Sequence, residues 1–200
     1  MDQGDFTHDS LLRLFEERGA LLQGHFLLSS GLHSSRYLQC ARVLMDPSLA
    51  TRLGAALAER LRPLLSGVTP RAVVAPALGG VLVAHEVARA LGCVGLFTER
   101  QDGAMTLRRG FALEDGDAVV VVEDVITTGG STREVLDAVR ARGARVLAVG
   151  SLVDRSGGAV DLGVPYRSLL ELVVAAHPGE ACPLCAQGSR PEKPGSRASR

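Results

Sequence analysis

The chain has 200 residues, of which 46% are hydrophobic, enough for one α/β domain with a small accessory piece. The formal net charge is zero and Lys193 is the only lysine, so no global positive field favours nucleic acid. No apolar run approaches membrane-spanning length, and the N-terminus lacks the apolar region of a signal peptide. Four cysteines suit a reducing compartment, and we therefore expect a cytoplasmic protein without nucleic-acid or membrane partners.

Two short N-terminal stretches predict a cover for the main domain. Asp9–Glu17 carries apolar side chains at helical spacing, which predicts a short amphipathic helix. His25–Ser29 and Arg36–Cys40 then have the composition of two strands in a hairpin. A hairpin of this size cannot bury both of its faces alone, so we expect it to pack against the main domain.

The following stretch alternates helical and strand patterns, which is typical of a parallel α/β sheet. A helix is predicted over Pro47–Leu65, a strand over Ala72–Ala75 and another strand over Val94–Thr98. Gly79 and Gly80 lie between the first strand and a further helix. Free backbone N–H groups at such a turn can hold an anion, although a tight turn without a ligand has the same sequence.

The segment Glu99–Gly110 is polar and glycine-containing, and it carries Arg100, Arg108 and Arg109. This composition predicts a β-hairpin or lid. Arginine can bind phosphate with two hydrogen bonds but does not act as an acid near neutral pH. The alternative is a solvated arginine loop without a binding role.

The stretch Ala118–Thr132 carries the strongest functional pattern. Its unbroken apolar run, Ala118–Val122, predicts a strand buried on both faces, and two carboxylates follow where that strand is expected to end. A hydroxyl-rich Gly-Gly turn then opens a helix, where backbone N–H groups can hold a phosphate while the carboxylates accept bonds from ribose hydroxyls. The alternative is a surface acidic pair before an ordinary helix. The candidate residues are Glu123, Asp124, Val125, Ile126, Thr127, Thr128, Gly129, Gly130 and Ser131.

Another strand is predicted over Arg145–Val153, and it ends at Asp154 and Arg155. Because the carboxyl ends of parallel strands share one edge of a sheet, Arg155 is placed near the acidic pair, where it can bind a carboxylate ligand. The alternative is a salt bridge between Arg155 and Asp154. Tyr166–Val174 is predicted to be the last strand.

Cys182 and Cys185 form a single Cys-x-x-Cys pair, which is half of a zinc site. His177 or a second subunit could supply further ligands, while two free thiols in a terminal turn explain the pair equally well. We assign no metal ligand from the sequence. The polar, basic tail Pro191–Arg200 is expected to be poorly ordered.

Three of these segments resemble the orotate phosphoribosyltransferase family. Val-Val-Glu-Asp-Val-Ile-Thr-Thr-Gly-Gly-Ser, ending at Ser131, resembles the signature with which type I phosphoribosyltransferases bind 5-phosphoribosyl 1-pyrophosphate (PRPP). Phe26–Gly31 with Ser35-Arg36-Tyr37 resembles the family's hood, which closes over the base. Leu152–Arg155 matches the position whose arginine holds the orotate carboxylate.

The resemblance implies an α/β fold with a central, mostly parallel sheet flanked by helices and a small N-terminal hood. It divides the chain into a helix and hood at 1–45, a PRPP-binding core at 46–175 and a Cys-x-x-Cys segment with a basic tail at 176–200. It further implies transfer of the phosphoribosyl group to orotate, Mg²⁺ as cofactor, and a homodimer whose active sites are shared. The catalytic residues it implies are Asp124, Arg100, Arg108 and Arg109, with Gly79 and Gly80 holding pyrophosphate.

The chain departs from the family pattern at three places. The family's hood often has a lysine where this chain has Ser29, and the family's pyrophosphate loop often has an aromatic–lysine pair where this chain has Leu78-Gly79. The loop Glu99–Gly110 lacks the usual lysines and histidine, which puts proton transfer from it in doubt. Two other functions are therefore kept as alternatives: phosphoribosyl transfer to another base, and a PRPP-binding transcriptional regulator.

Overall fold

Nine strands lie within residues 6–28 and 30–194, which are the residues that the computed structural model describes. The first two form the predicted N-terminal hairpin, and the next six belong to the main sheet. In chain order the strands are β1 Leu21–Leu27, β2 His33–Leu38, β3 Ala72–Pro76, β4 Val94–Gln101, β5 Ala104–Leu107, β6 Ala118–Ile126, β7 Arg145–Asp154, β8 Tyr166–Glu171 and β9 Ala176–His177.

The main sheet has the strand order β5-β4-β3-β6-β7-β8. Its neighbours are parallel except for the antiparallel pair β4 and β5, which confirms the predicted mostly parallel sheet. Alternate residues of the central strands enter two different cores. Val73 and Val120 face one core, while Val74 and Val121 face the other, and all four are fully buried. The apolar runs without polar alternation therefore have the two-sided burial that their sequence predicts.

Helices cover both faces of this sheet. Leu57 and Val87 belong to the core on one face, and Val135 and Leu136 belong to the core on the other. None of the helices in the described part of the chain is long and apolar enough to span a membrane. The helices are α1 His8–Glu17, α2 Ala41–Leu44, α3 Pro47–Leu61, α4 Gly79–Leu91, α5 Gly130–Arg140 and α6 Pro183–Ala186, with 3-10 turns at Arg62–Leu65 and Gly179–Ala181.

The hood is the small antiparallel sheet of β1, β2 and β9. Both hairpin strands begin earlier than predicted: β1 starts at Leu21, which pairs with Leu38 in the main core, and β2 starts at His33, which pairs with Leu27. The C-terminal segment completes the hood on both sides. β9 pairs with β2, and the backbone of Glu192 exchanges two hydrogen bonds with β1, through Leu27 N–H at 2.7 Å and His25 C=O at 2.8 Å.

Candidate active site

The acidic pair lies inside β6 rather than after its end. The sequence places Glu123 and Asp124 beyond the strand, but the ladder between β6 and β7 continues through Val125 and Ile126. The extension of β6 through Ile126 depends on pairing with β7, so the apolar run of β6 does not by itself predict it. The pair consequently sits on a rigid strand at the carboxyl edge of the sheet, where parallel α/β folds bind ligands.

Burial disfavours the charged form of both carboxyls. It raises the pKa of Glu123 to about 7, with the nearby Asp124 adding to the rise and a hydrogen bond from the Thr132 hydroxyl opposing it. Burial also raises the pKa of Asp124, against a 2.9 Å hydrogen bond that its Oδ1 accepts from Val125 N–H. Two partly buried carboxyls held this way favour a positively charged ligand or transition state, since such a charge would offset their desolvation.

The Gly-Gly turn after β6 forms a pocket of about 310 Å³ at the start of α5. Gly129 has a φ of +76°, a left-handed conformation suited to glycine, and α5 begins at Gly130, within the predicted turn rather than after it. The first N–H groups of a helix have no partner within it, so they are available to an anion. The pocket is lined by Glu123, Val125, Thr127, Thr128, Gly129, Gly130, Ser131 and Glu134.

The second glycine pair belongs to the first turn of α4 and lies directly beside the acidic pair. A Cβ atom at Gly79 would come within 2.6 Å of an Asp124 carboxylate oxygen, and one at Gly80 within 2.7 Å of the Ala75 Cβ. Both positions therefore require glycine for close approach rather than for a special backbone angle. The N-terminus of α4 and the carboxylates of β6 form one continuous surface.

Arg155 follows β7, and its backbone N–H donates to the Ile126 carbonyl at 2.8 Å. Its Nε is buried and has no hydrogen-bond partner among the described residues. Asp154 instead accepts a 2.6 Å bond from Ser156 N–H, so the Asp154–Arg155 salt bridge is not formed. Burial lowers the pKa of Arg155, and the electrostatic effect of Tyr37 on β2 of the hood opposes that change.

The arginine segment is an antiparallel hairpin of β4 and β5, and two of its arginines pair within the chain. Arg100 contacts Glu134 at 2.7 Å, at the wall of the phosphate pocket. Arg109 binds Glu99 through two hydrogen bonds of 2.8 Å. Arg108 makes no ion pair with any residue that the structure describes. It is thus the loop arginine most available to a ligand.

Two histidines that sequence reasoning did not assign lie beside the terminal cysteines. His25 and His33 approach Cys182 and Cys185, whereas His177 does not join them. The available signal was the placement of two histidines on either side of the hairpin turn, but nothing local links them to a segment over 150 residues away. Ser29, where the hood of the family often has lysine, lies outside the described residues.

Comparisons with known proteins agree with this architecture. The family described as "Phosphoribosyl transferase domain" matches residues 43–180. The chain is 54% identical over 192 residues to an orotate phosphoribosyltransferase of Heliobacterium modesticaldum, covering 96% of this chain and 99% of that protein. It is 52% identical over 184 residues to that of Thermotoga maritima, covering 92% and 96%. The crystal structure of orotate phosphoribosyltransferase from Aeropyrum pernix superposes with a TM-score of 0.64 at 32% identity, covering 80% and 93% of the two chains.

Proposed function

The chain belongs to the orotate phosphoribosyltransferase family, and on that premise we propose how its residues transfer the phosphoribosyl group of PRPP to orotate. The products are orotidine 5′-phosphate and pyrophosphate. One observation carries the choice of acceptor: the buried Nε of Arg155, without a protein partner, lies at the same sheet edge as the acidic pair. A guanidinium in this position has a carboxylate as its natural ligand, and orotate is a pyrimidine with a carboxylate.

The pocket at the start of α5 suits the 5′-phosphate. Thr127, Thr128 and Ser131 offer hydroxyls, while the turn at Gly129-Gly130 exposes backbone N–H groups. Arg133 fixes the turn from outside, because its Nη1 donates to the Thr128 carbonyl at 2.7 Å. The phosphate would therefore meet a preformed anion site rather than one that must order on binding.

Glu123 and Asp124 suit the ribose ring of PRPP. Their carboxylates can accept hydrogen bonds from two ribose hydroxyls, and they favour positive charge as the bond from C1 to the pyrophosphate oxygen opens. The electron pair of that bond leaves with pyrophosphate, N1 of orotate donates the pair that forms the new bond, and the proton of N1 is released to pyrophosphate or water. Because the carboxyls are already partly buried and held by hydrogen bonds from Val125 and Thr132, their electrostatic effect on the transition state needs little reorganisation. The N-terminus of α4 at Gly79 lies beside them and can hold the leaving pyrophosphate.

Mg²⁺ is the cofactor that we propose. The two carboxylates beside the phosphate pocket are hard oxygen donors, and the burial that raises their pKa values would be offset by a divalent cation. Mg²⁺ in phosphate chemistry is typically held by one or two carboxylates and by oxygens of the substrate, which is what Glu123 and Asp124 could provide. When bound, Mg²⁺ would neutralise part of the charge of pyrophosphate as it leaves.

A homodimer with shared active sites is a further part of the proposal. Arg100 and Arg109 are engaged by Glu134 and Glu99 of their own chain, which leaves Arg108 at the end of β5 as the candidate to reach a neighbouring site. The test mixes an inactive Asp124→Asn subunit with an inactive Arg108→Ala/Arg109→Ala subunit. A loop that acts in the partner's site gives one intact site per heterodimer, so activity partly returns. If heterodimers form and stay inactive, the shared site is wrong.

We also propose that the protein resides in the cytoplasm. The four cysteines at positions 40, 93, 182 and 185 are free of disulfides, as a reducing compartment requires. The substrates are soluble anions. Fractionation of cells that express the chain, followed by immunodetection, tests this location directly.

The acceptor is tested by incubating the protein with Mg²⁺ and PRPP and with orotate, uracil, adenine or hypoxanthine in parallel. We expect pyrophosphate release with orotate and little with uracil, which lacks the carboxylate. The Arg155→Ala variant should show a smaller preference for orotate over uracil. Equal turnover of orotate and uracil by the unmodified chain would overturn the role of Arg155 and the assignment of orotate together.

A further inference from the structure

Four side chains outside the active site bring one nitrogen or sulfur atom each together between the hood and the C-terminal segment. They are His25 on β1, His33 on β2, and Cys182 and Cys185 of the terminal turn. Their nearest nitrogen and sulfur atoms all lie within 4.8 Å of one another. His25 and Cys182 are buried, with 7% and 4% of their surfaces exposed.

The separations match the edges of a metal-centred tetrahedron. Ideal zinc bond lengths give edges of about 3.3 Å between nitrogens and about 3.6 Å between nitrogen and sulfur. His25 Nε2 lies 3.0 Å from His33 Nδ1, 3.4 Å from Cys182 Sγ and 3.8 Å from Cys185 Sγ. His33 Nδ1 lies 3.2 Å from Cys185 Sγ. Hydrogen bonds alone do not account for this cluster, because the four atoms carry too few protons to hydrogen-bond with all of their neighbours.

The outer contacts and the charges also fit a divalent ion. His25 Nδ1 lies 3.1 Å from Ser189 Oγ. If the Nδ1–H group donates to that hydroxyl oxygen, Nε2 carries no proton and is free to bind a metal. Two thiolates and two neutral imidazoles balance a divalent cation, so the occupied site is neutral despite its burial. The Cys-x-x-Cys spacing of Cys182 and Cys185 is the usual spacing of a zinc half-site.

The C-terminal segment needs such a link, because it has almost no core of its own. Within residues 178–194, Cys182 is the only buried residue. The turn around it, Gly179–Ala181 and Pro183–Ala186, is too short to be stable as an isolated helix. Nevertheless this segment returns to pair Glu192 with β1. The four-residue cluster is therefore the main candidate for what holds the segment in place.

We propose that His25, His33, Cys182 and Cys185 bind one structural Zn²⁺ ion, which fastens the C-terminal segment to the hood. Binding releases the two thiol protons, and the four side chains fill the tetrahedral coordination shell, so the ion has no open position for catalysis. The donor set of two thiolates and two imidazoles selects zinc over hard cations such as Mg²⁺. The proposal is independent of the reaction at the acidic pair, and its main readout is metal content.

The first experiment measures zinc by elemental analysis in the full chain, purified under reducing conditions without chelator. We expect one zinc per chain. Replacement by Co²⁺ should give the intense visible absorption of a tetrahedral thiolate site. Absence of zinc even after incubation with excess Zn²⁺ and dialysis would overturn the proposal. So would a Cys182–Cys185 disulfide, found by mass spectrometry, in protein prepared with reductant.

Matched variants locate the site. Cys185→Ser and His33→Ala should lose the bound zinc, whereas Cys93→Ser and His177→Ala should retain it, because those residues lie outside the cluster. Ser189→Ala should still bind zinc but about tenfold more weakly, as expected for loss of an outer-shell partner. This last variant leaves all four ligands in place, so it remains informative if a ligand variant fails to fold. Unchanged zinc content in Cys185→Ser would place the ion elsewhere.

Discussion

The phosphate pocket and the hood differ in how they are encoded. The lining of the pocket and the acidic pair come from twelve consecutive residues, Glu123–Glu134, at the end of β6, the turn and the start of α5. The hood's cluster joins His25 to Cys185, which are 160 residues apart. The pocket should therefore tolerate loosening of the rest of the chain, while the hood should depend on closure by the C-terminal segment. Each prediction below changes one region and measures whether the other responds.

The largest effect is expected from Glu123→Gln combined with Asp124→Asn. The amides keep the oxygens that accept from Thr132 and Val125 but remove the negative charge at the proposed ribose site. We expect turnover to fall at least about 10²-fold, the scale measured for loss of one preorganised electrostatic contact. Steady-state kinetics with saturating PRPP and orotate measure this fall.

The control for the double variant is Glu59→Gln, an exposed carboxylate on α3 that pairs only with Arg62 among the described residues. It should leave turnover unchanged. Zinc content of the double variant should also equal that of the unmodified chain. Near-normal turnover of the double variant would remove the acidic pair from the mechanism.

The next largest effect is expected from Arg155→Ala. Loss of a charge-assisted hydrogen bond costs about 1.5–3 kcal/mol, which is roughly a ten- to hundredfold change in affinity. We expect the KM for orotate to rise by that factor and the KM for PRPP to change little. Arg145→Ala is the matched control, since it removes an exposed arginine from the other end of the same strand. Equal increases in both KM values would mean that Arg155 serves the phosphate site or the fold.

Several features were predictable because neighbours in the sequence determine them. The apolar run of β6 and the turn at Gly129 are of this kind, as is the position of Arg155 after a strand. The extension of β6 to Ile126 was not, since it depends on pairing with β7. The start of β1 at Leu21 depends likewise on its pairing with Leu38. The histidines beside Cys182 and Cys185 were missed for the same reason: their partners are close in space only after the chain has folded.

A third prediction uses the pKa of Glu123, which burial raises to about 7. An unfolded glutamate has a pKa of about 4.3, so between these values the native protein holds a proton that the unfolded chain releases. Rising pH therefore favours unfolding, and the free energy of unfolding should fall by on the order of 1–2 kcal/mol from pH 5 to pH 7 through this group. Urea unfolding of ligand-free protein at both pH values measures the change.

Glu123→Gln should flatten that pH dependence, because it removes the titrating group and keeps its shape. His8, whose pKa is also raised, remains in both proteins and cancels in the comparison, whereas Asp124 is coupled to Glu123 and does not cancel. Zinc must be kept bound throughout, so that the hood does not contribute. An identical slope in the variant would show that Glu123 does not titrate in this range.

The smallest effect should come from loosening the hood, and it tests the comparison most directly. Tyr37 on β2 acts electrostatically on the pKa of Arg155, which links the hood to the residue that we assign to orotate. If zinc removal lowers the fraction of chains with a closed hood to about one third, the apparent KM for orotate rises about threefold. The KM for PRPP should change less, since its phosphate pocket is built by β6 and α5 alone. Kinetics of His33→Ala, with His177→Ala as the control, measure both constants.

This expectation combines the proposed acceptor site with the proposed zinc site, and the metal content of each variant shows which of the two proposals has failed. If His33→Ala loses zinc and both KM values rise equally, the two regions are coupled through the whole fold, and the contrast between a self-contained pocket and a dependent hood is wrong.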